Sequence, residues 1–261
     1  MKTVILCGGR GTRIRDVSED IPKPMIPVGG IPILWHLMKY YSHWGHRDFV
    51  LCLGYLGNVI RDFFLNYDAH TQDVTIALGP GTQRRYHSEH AETRWQITFA
   101  DTGQDTMTGG RVKRIQKYVE HDDHFMLTYG DGLGTINLDR LISFHKSHGK
   151  ILTVSGVRPP SRFGELRMNA KGLLTAFNEK PQVSQGRISG GFFVCRKEIF
   201  RYLGGRKDLV FEREPIQNLV RRKQVMMYKH DGFWQPMDTF RDYQYLNSLV
   251  EKNKAPWTVW K

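Results

Sequence analysis

The chain is 261 residues long and 40% hydrophobic, with 38 Lys and Arg against 26 Asp and Glu for a net charge of +12. That length and apolar content can bury one substantial core and exclude disorder as the default, while the positive balance suits anionic ligands. The basic clusters Arg84-Arg85, Arg111 to Arg114 and Arg221 to Lys223 are short and interrupted, so they read as solvated surface and not as a nucleic-acid-binding tail. Three widely spaced cysteines, Cys7, Cys52 and Cys195, make neither a disulfide framework nor a metal motif. With no leader pattern and no apolar run of membrane length, the expectation is a cytoplasmic protein that binds neither nucleic acid nor membrane.

An apolar strand from Val4 to Leu6 empties into Gly8-Gly9-Arg10-Gly11-Thr12-Arg13, and Pro22-Lys23-Pro24 follows. Glycines let successive N–H groups approach a ligand closely, and Arg13 and Lys23 add full positive charge, a combination suited to a nucleoside triphosphate. The spacing is neither G-x-x-x-x-G-K-[ST] nor the three-glycine dinucleotide fingerprint, which disfavours a P-loop ATPase and a plain NAD site. The pattern then predicts a helix from Pro32 to Trp44 with Leu34, Leu37, Met38 and Tyr41 as its apolar stripe, and a strand from Phe49 to Leu53. A helix from Asn58 to Tyr67 and a strand from Val74 to Leu78 come next. This is the βαβ rhythm of a mostly parallel sheet. Residues 79–94 are polar and charged and read as an excursion between strands, a candidate for an interface.

A strand from Trp95 to Ala100 precedes a glycine-rich turn, Met107 to Arg111, and a helix from Val112 to Val119, whose N-terminus is a candidate second anion site. The buried strand Phe125 to Tyr129 ends in Gly130-Asp131-Gly132, which holds a carboxylate at a strand's carboxyl end, where open α/β sheets bind ligands. A carboxylate facing a triphosphate calls for a bridging cation. Mg²⁺ takes one or two carboxylates plus phosphate oxygens, so a second acid is sought. Asp238, after an apolar run and before a helical segment, is a candidate, although for an isolated Asp before Thr239 a helix cap is the better reading. His87, His90, His121, His124, His145 and His148 lie in close pairs but lack zinc-site spacing, and ordinary surface histidines suffice for them. The aromatic tail Trp257 and Trp260 fits equally an interface element or packing on its own subunit.

The segment from Gly8 to Pro24 resembles the G-G-x-G-T-R…P-K-P signature of the sugar-phosphate nucleotidylyltransferases, which join a sugar 1-phosphate to a nucleoside triphosphate and release pyrophosphate. The resemblance runs from residue 1 to about residue 260, and Gly110 to Arg114, Trp234 to Asp238 and Lys254 to Trp257 look like the branch that makes CDP-glucose. It implies a Rossmann-like α/β nucleotidyltransferase fold with a mixed, mostly parallel central sheet and a smaller sugar-binding region. The whole is a single domain, with residues 1–135 binding nucleotide and 136–261 binding sugar phosphate and ending in helices. It implies transfer of a cytidylyl group from CTP to glucose 1-phosphate by direct in-line attack with Mg²⁺ on Asp131 and Asp238, in a chain that forms a homo-oligomer. By residue, it implies nucleotide contacts at Leu6, Gly8, Gly9, Gly11, Thr12, Arg13, Lys23, Thr106, Arg111, Gly130 and Asp131, with Arg13 and Lys23 catalytic. Sugar-phosphate contacts are implied at Gly164, Glu179, Lys180, Gly190 and Gly191. Two positions depart from the family's usual choice, Cys7 where alanine is common and Ser189 where asparagine is common. Alternatives are a thymidylyl- or uridylyltransferase on a hexose 1-phosphate and a non-catalytic sugar-nucleotide-binding regulator.

Overall fold

A computed structural model describes residues 1–11, 20–88, 92, 94–159, 165–168, 174–178 and 186–260. Its centre is a seven-stranded sheet built from β1 (Thr3–Leu6), β2 (Asp48–Leu53), β3 (Gln96–Asp101), β4 (His124–Tyr129), β5 (Leu152–Val157), β6 (Ile188–Arg196) and β7 (Val225–His230), in the order β7-β5-β6-β4-β1-β2-β3. β6 runs antiparallel to β5 and β4, and the remaining neighbours pair in parallel. The sheet is therefore mixed and mostly parallel, as the alternating apolar and amphipathic segments predict.

Helices cover both faces, which is why the central strands read as continuous apolar runs. On one face lie α1 (Ile33–His43), α2 (Gly57–Leu65), α4 (Leu138–His148) and α6 (Phe240–Glu251), packed with Ile5, Leu51, Met126 and Trp257 in one core. On the other, α3 (Thr108–Arg114) and α5 (Glu214–Arg221) pack with Val4, Leu6, Val50 and Phe193 in a second core. Trp257 is fully buried and its Nε1 donates to His36 Nδ1 at 3.3 Å, so this half of the aromatic tail closes its own subunit's core.

Three expectations change. The strand at 74–78 forms, as Val74–Ala77, but it pairs with Gln83–Tyr86 in an exposed hairpin and adds nothing to the central sheet. The helix expected from Val112 begins earlier, at Thr108, so Gly109 and Gly110 lie inside it and not in a turn. His145 is no surface residue: it is 0% exposed, and its Nδ1 meets Thr153 Oγ1 at 2.8 Å. The apolar face of the amphipathic helix carries the ring inward, where one nitrogen meets a hydroxyl and the other, Nε2, is buried without a hydrogen-bond partner among the described residues.

Candidate active site

β1 and β4 are parallel neighbours with Leu6 opposite Tyr129, so the segments that follow them leave the sheet side by side at its carboxyl edge. There Gly130 N donates to Leu6 O at 3.1 Å. A cleft of about 350 Å³ opens over this edge, lined by Leu6, Cys7, Gly8, Gly9, Gly11, Lys23, Pro24, Thr106, Met107, Thr108, Arg111, Tyr129 and Asp131. Most of the residues expected to contact nucleotide thus share one cavity, and Gly130 packs against three of its lining residues, Leu6, Cys7 and Pro24. Thr12 and Arg13, and on the sugar side Gly164, Glu179 and Lys180, lie outside the described residues.

Asp131 and Asp238 are 107 positions apart in the chain, and a small ribbon joins them. Trp234–Pro236 pairs antiparallel with Gly132–Gly134, and Met237 N donates to Asp131 O at 2.9 Å. Lys23, carried on a 3-10 turn at Lys23–Met25, places its Nζ 2.5 Å from Asp131 Oδ2 and 2.6 Å from Asp238 Oδ1. Burial by itself lowers the Lys23 pKa, but the charges and hydrogen bonds of the two carboxylates outweigh it and raise it. Lys23 is therefore fully charged at neutral pH. Helix capping does not claim Asp238: Thr239 is the N-cap of α6 and forms a capping box with Asp242.

Arg111 sits in α3, 4% exposed, and its guanidinium donates to Leu53 O at 2.9 Å, Thr102 Oγ1 at 2.7 Å, Gly8 O at 2.9 Å and Gln104 O at 3.2 Å. A side chain on Gly8 or Gly54 would collide with it, so those two glycines let one buried cation tie β1, β2 and the segment after β3 together. Desolvation lowers the Arg111 pKa. Of the amides at this helix's N-terminus, where a second anion site is expected, two are taken by the backbone. Met107 N already donates to Lys207 O at 2.7 Å and Gly110 N to Leu209 O at 3.1 Å.

Toward the sugar side, Gly190 and Gly191 are buried at the start of β6, where Trp234 Nε1 donates to Gly190 O at 2.8 Å. Gly191 has φ +77°, and the Tyr129 ring fills the space a side chain would take. Three further residues enter the site that sequence reading does not assign to it, Tyr129, Thr108 and Glu212. Tyr129 donates to Glu212 Oε1, and Thr108 Oγ1 donates to Glu212 Oε2 at 2.7 Å. Tyr129 is visible in the sequence as the last residue of an apolar strand. Glu212 gives no signal, because its loop docks through tertiary contacts.

The Nucleotidyl transferase family model matches residues 2–253. The glucose-1-phosphate cytidylyltransferase of Salmonella typhimurium is 44% identical over 261 residues, covering 100% of both chains. The probable glucose-1-phosphate cytidylyltransferase of Bacillus subtilis is 42% identical over 260 residues, again covering 100% of each. Among solved structures, HddC from Yersinia pseudotuberculosis matches with a TM-score of 0.68 at 24% identity, over 95% of this chain and 99% of that one, a likeness of fold. With the family model spanning nearly the whole chain and relatives at 44% and 42% identity covering it end to end, this protein belongs to the nucleotidyl transferase family.

Proposed function

We propose that the cleft transfers a cytidylyl group from CTP to α-D-glucose 1-phosphate, giving CDP-glucose and pyrophosphate. Full-length identity of 44% to a glucose-1-phosphate cytidylyltransferase supports the choice of base and sugar. The observation that carries the reaction type is the convergence of Asp131 and Asp238 on Lys23, which lines the cleft with Asp131. A phosphate oxygen of the sugar phosphate attacks the α-phosphorus of CTP. The bond from that phosphorus to the β-phosphate oxygen breaks, and the electron pair leaves with pyrophosphate. Such a step needs charge neutralisation and alignment, not a protein nucleophile. Residues 1–135 supply the nucleotide half: Gly8, Gly9, Gly11, Thr12 and Arg13 hold the pyrophosphate portion, and Lys23 meets charge growing on the α-phosphate. Leu6, Thr106, Arg111 and Gly130 shape the remainder of the nucleotide wall. Residues 136–261 supply Gly164, Glu179, Lys180, Gly190 and Gly191 for the sugar phosphate, with Lys180 as its counter-charge.

The donor set fits Mg²⁺. Two carboxylates already converge on one cation, the Lys23 ammonium. Among the described residues no group of three or more His, Cys, Asp and Glu could hold a metal ion, so a metal on Asp131 and Asp238 takes its other ligands from phosphate and water. When bound there, Mg²⁺ supplies positive charge to the phosphates. Three free, buried thiols suit a reducing cytoplasm, and among the described residues no helix is long and apolar enough to cross a membrane. Self-association as a homo-oligomer would use the exposed hairpin at 74–86, and light scattering reads it.

The deciding experiment is pyrophosphate release with glucose 1-phosphate and Mg²⁺, comparing CTP, UTP, dTTP and ATP, then other sugar 1-phosphates with the best nucleotide. Strong preference for CTP is expected. Preference for UTP or dTTP overturns the base assignment, and no release with any pair overturns the enzymatic reading.

A further inference from the structure

Tyr129 ends β4 and lines the cleft beside Asp131. Its ring packs edge-on against Phe193, 5.9 Å between centroids, and lies over Gly191. One aromatic ring thus touches both the nucleotide cleft and Gly191, one of the two glycines assigned to the sugar phosphate. Its hydroxyl is held from outside the sheet by Glu212. That carboxylate also accepts from Thr108 Oγ1 at 2.7 Å, and Thr108 Oγ1 accepts from Phe211 N at 2.9 Å. Burial, together with the Glu212 charge, raises the Tyr129 pKa, so the phenol stays neutral and donating. Elsewhere in the cleft the glycine amides and Lys23 suit phosphates, and Leu6, Pro24 and Met107 add aliphatic surface. A phenol ring offers an anion nothing, but it matches the C–H face of a hexose, which is flat, weakly polar and rigid.

We propose that the Tyr129 ring is the wall on which the hexose of the sugar 1-phosphate packs, and that Glu212 is a positioning residue that fixes this wall through the phenol hydroxyl. This assignment rests on the cleft being a site of sugar-nucleotide synthesis. It makes Tyr129 a determinant of sugar choice and leaves the nucleotide unaffected. A hexose whose face toward the ring carries an axial hydroxyl would lose the flat contact.

The test measures KM for glucose 1-phosphate and KM for CTP separately in wild type, Y129A, Y129F, E212A, E212Q and the Y129F/E212A double variant. Y129A is expected to raise the sugar-phosphate KM about tenfold and leave the CTP KM within about twofold. Y129F and E212A each raise the sugar-phosphate KM about threefold, and the double variant does no more, because both break the same bond. E212Q keeps an acceptor and recovers most of the wild-type value. A rise in the CTP KM instead, or unchanged KM values with a lowered Tm, overturns the wall. Additive effects in the double variant overturn the route through Glu212. The outcome stays separable from that of the underlying reading. A wild type that prefers another nucleotide loses the base assignment yet shows the same split with that nucleotide, and a wild type inactive with every pair overturns both.

Discussion

Lys23 brings a half-buried positive charge to a point where two carboxylates already converge, and each partner is costly without the others. Removing the ammonium leaves Asp131 and Asp238 facing one another with no counter-charge, a strongly unfavourable arrangement in a partly buried cleft. K23M should therefore be less stable than wild type without divalent cation. Millimolar Mg²⁺ should restore it, since a ligand bound only by the folded state stabilises by mass action. Thermal melts with and without Mg²⁺, in the absence of nucleotide, check this: the variant should gain several degrees more than wild type, and equal gains would show that the two carboxylates do not form the metal site. K23A should also lower turnover by about 10²- to 10³-fold, because a fixed cation aimed at developing charge is worth roughly 3–4 kcal/mol. Near-normal turnover would remove Lys23 from the chemistry. Lys23 and Asp131 were legible because each follows a recognisable run, a Pro-Lys-Pro turn and an apolar strand. Their ion pair was not, because it spans 108 residues of sequence.

Short elements aim the long-range partner. The start of α6 is closed by a capping box in which Asp242 Oδ2 accepts from Thr239 N at 2.8 Å and also from Asp238 N at 3.0 Å, while Asp242 Oδ1 accepts from Gln235 Nε2 at 2.8 Å. One carboxylate thereby fixes the helix start and the backbone of the residue that carries the second acid. D242A should cost about 1–2 kcal/mol as a lost cap. It should also reduce turnover disproportionately, because Asp238 loses its support. Urea denaturation and pyrophosphate release on the same preparation separate the two effects: lost stability with unchanged turnover would mean that the cap does not aim Asp238. The sequence showed that a helix begins near Thr239 but left Asp238 divided between cap and ligand, since only the folded ribbon shows Thr239 taking the cap. The reverse error occurred at α3. Gly109 and Gly110 look like loop residues by propensity, yet they lie in a helix that packs so closely on Arg206 to Leu209 that a side chain at either position would collide. Tertiary packing, unreadable at short range, set that boundary.

At the scale of the whole molecule, burial has pushed histidines in one direction. His36, His46, His124, His145, His148 and His230 all have lowered pKa values with desolvation as the first cause, and His145 is driven down to about 3. His145 is hemmed in by His124, His148, Arg196 and Lys146, all of which oppose a further positive charge there. An unfolded histidine takes a proton near pH 6.5. Between that pH and the lower folded value the unfolded chain binds more protons, so stability falls as pH falls through this window, at up to about 1.4 kcal/mol per pH unit for each such group. Urea unfolding at pH 7, 6 and 5 should give a steep, cooperative loss of stability on the acid side, and H145Q, which keeps a polar group for Thr153 but cannot titrate, should flatten the slope between pH 6 and 4. A flat wild-type profile would mean that these histidines take protons equally well in the folded state, and an unchanged slope in H145Q would remove His145 from the set. The composition showed eleven histidines and the charge. Which of them the sheet would bury depended on the pairing of α4 with β5, and no local pattern carries that.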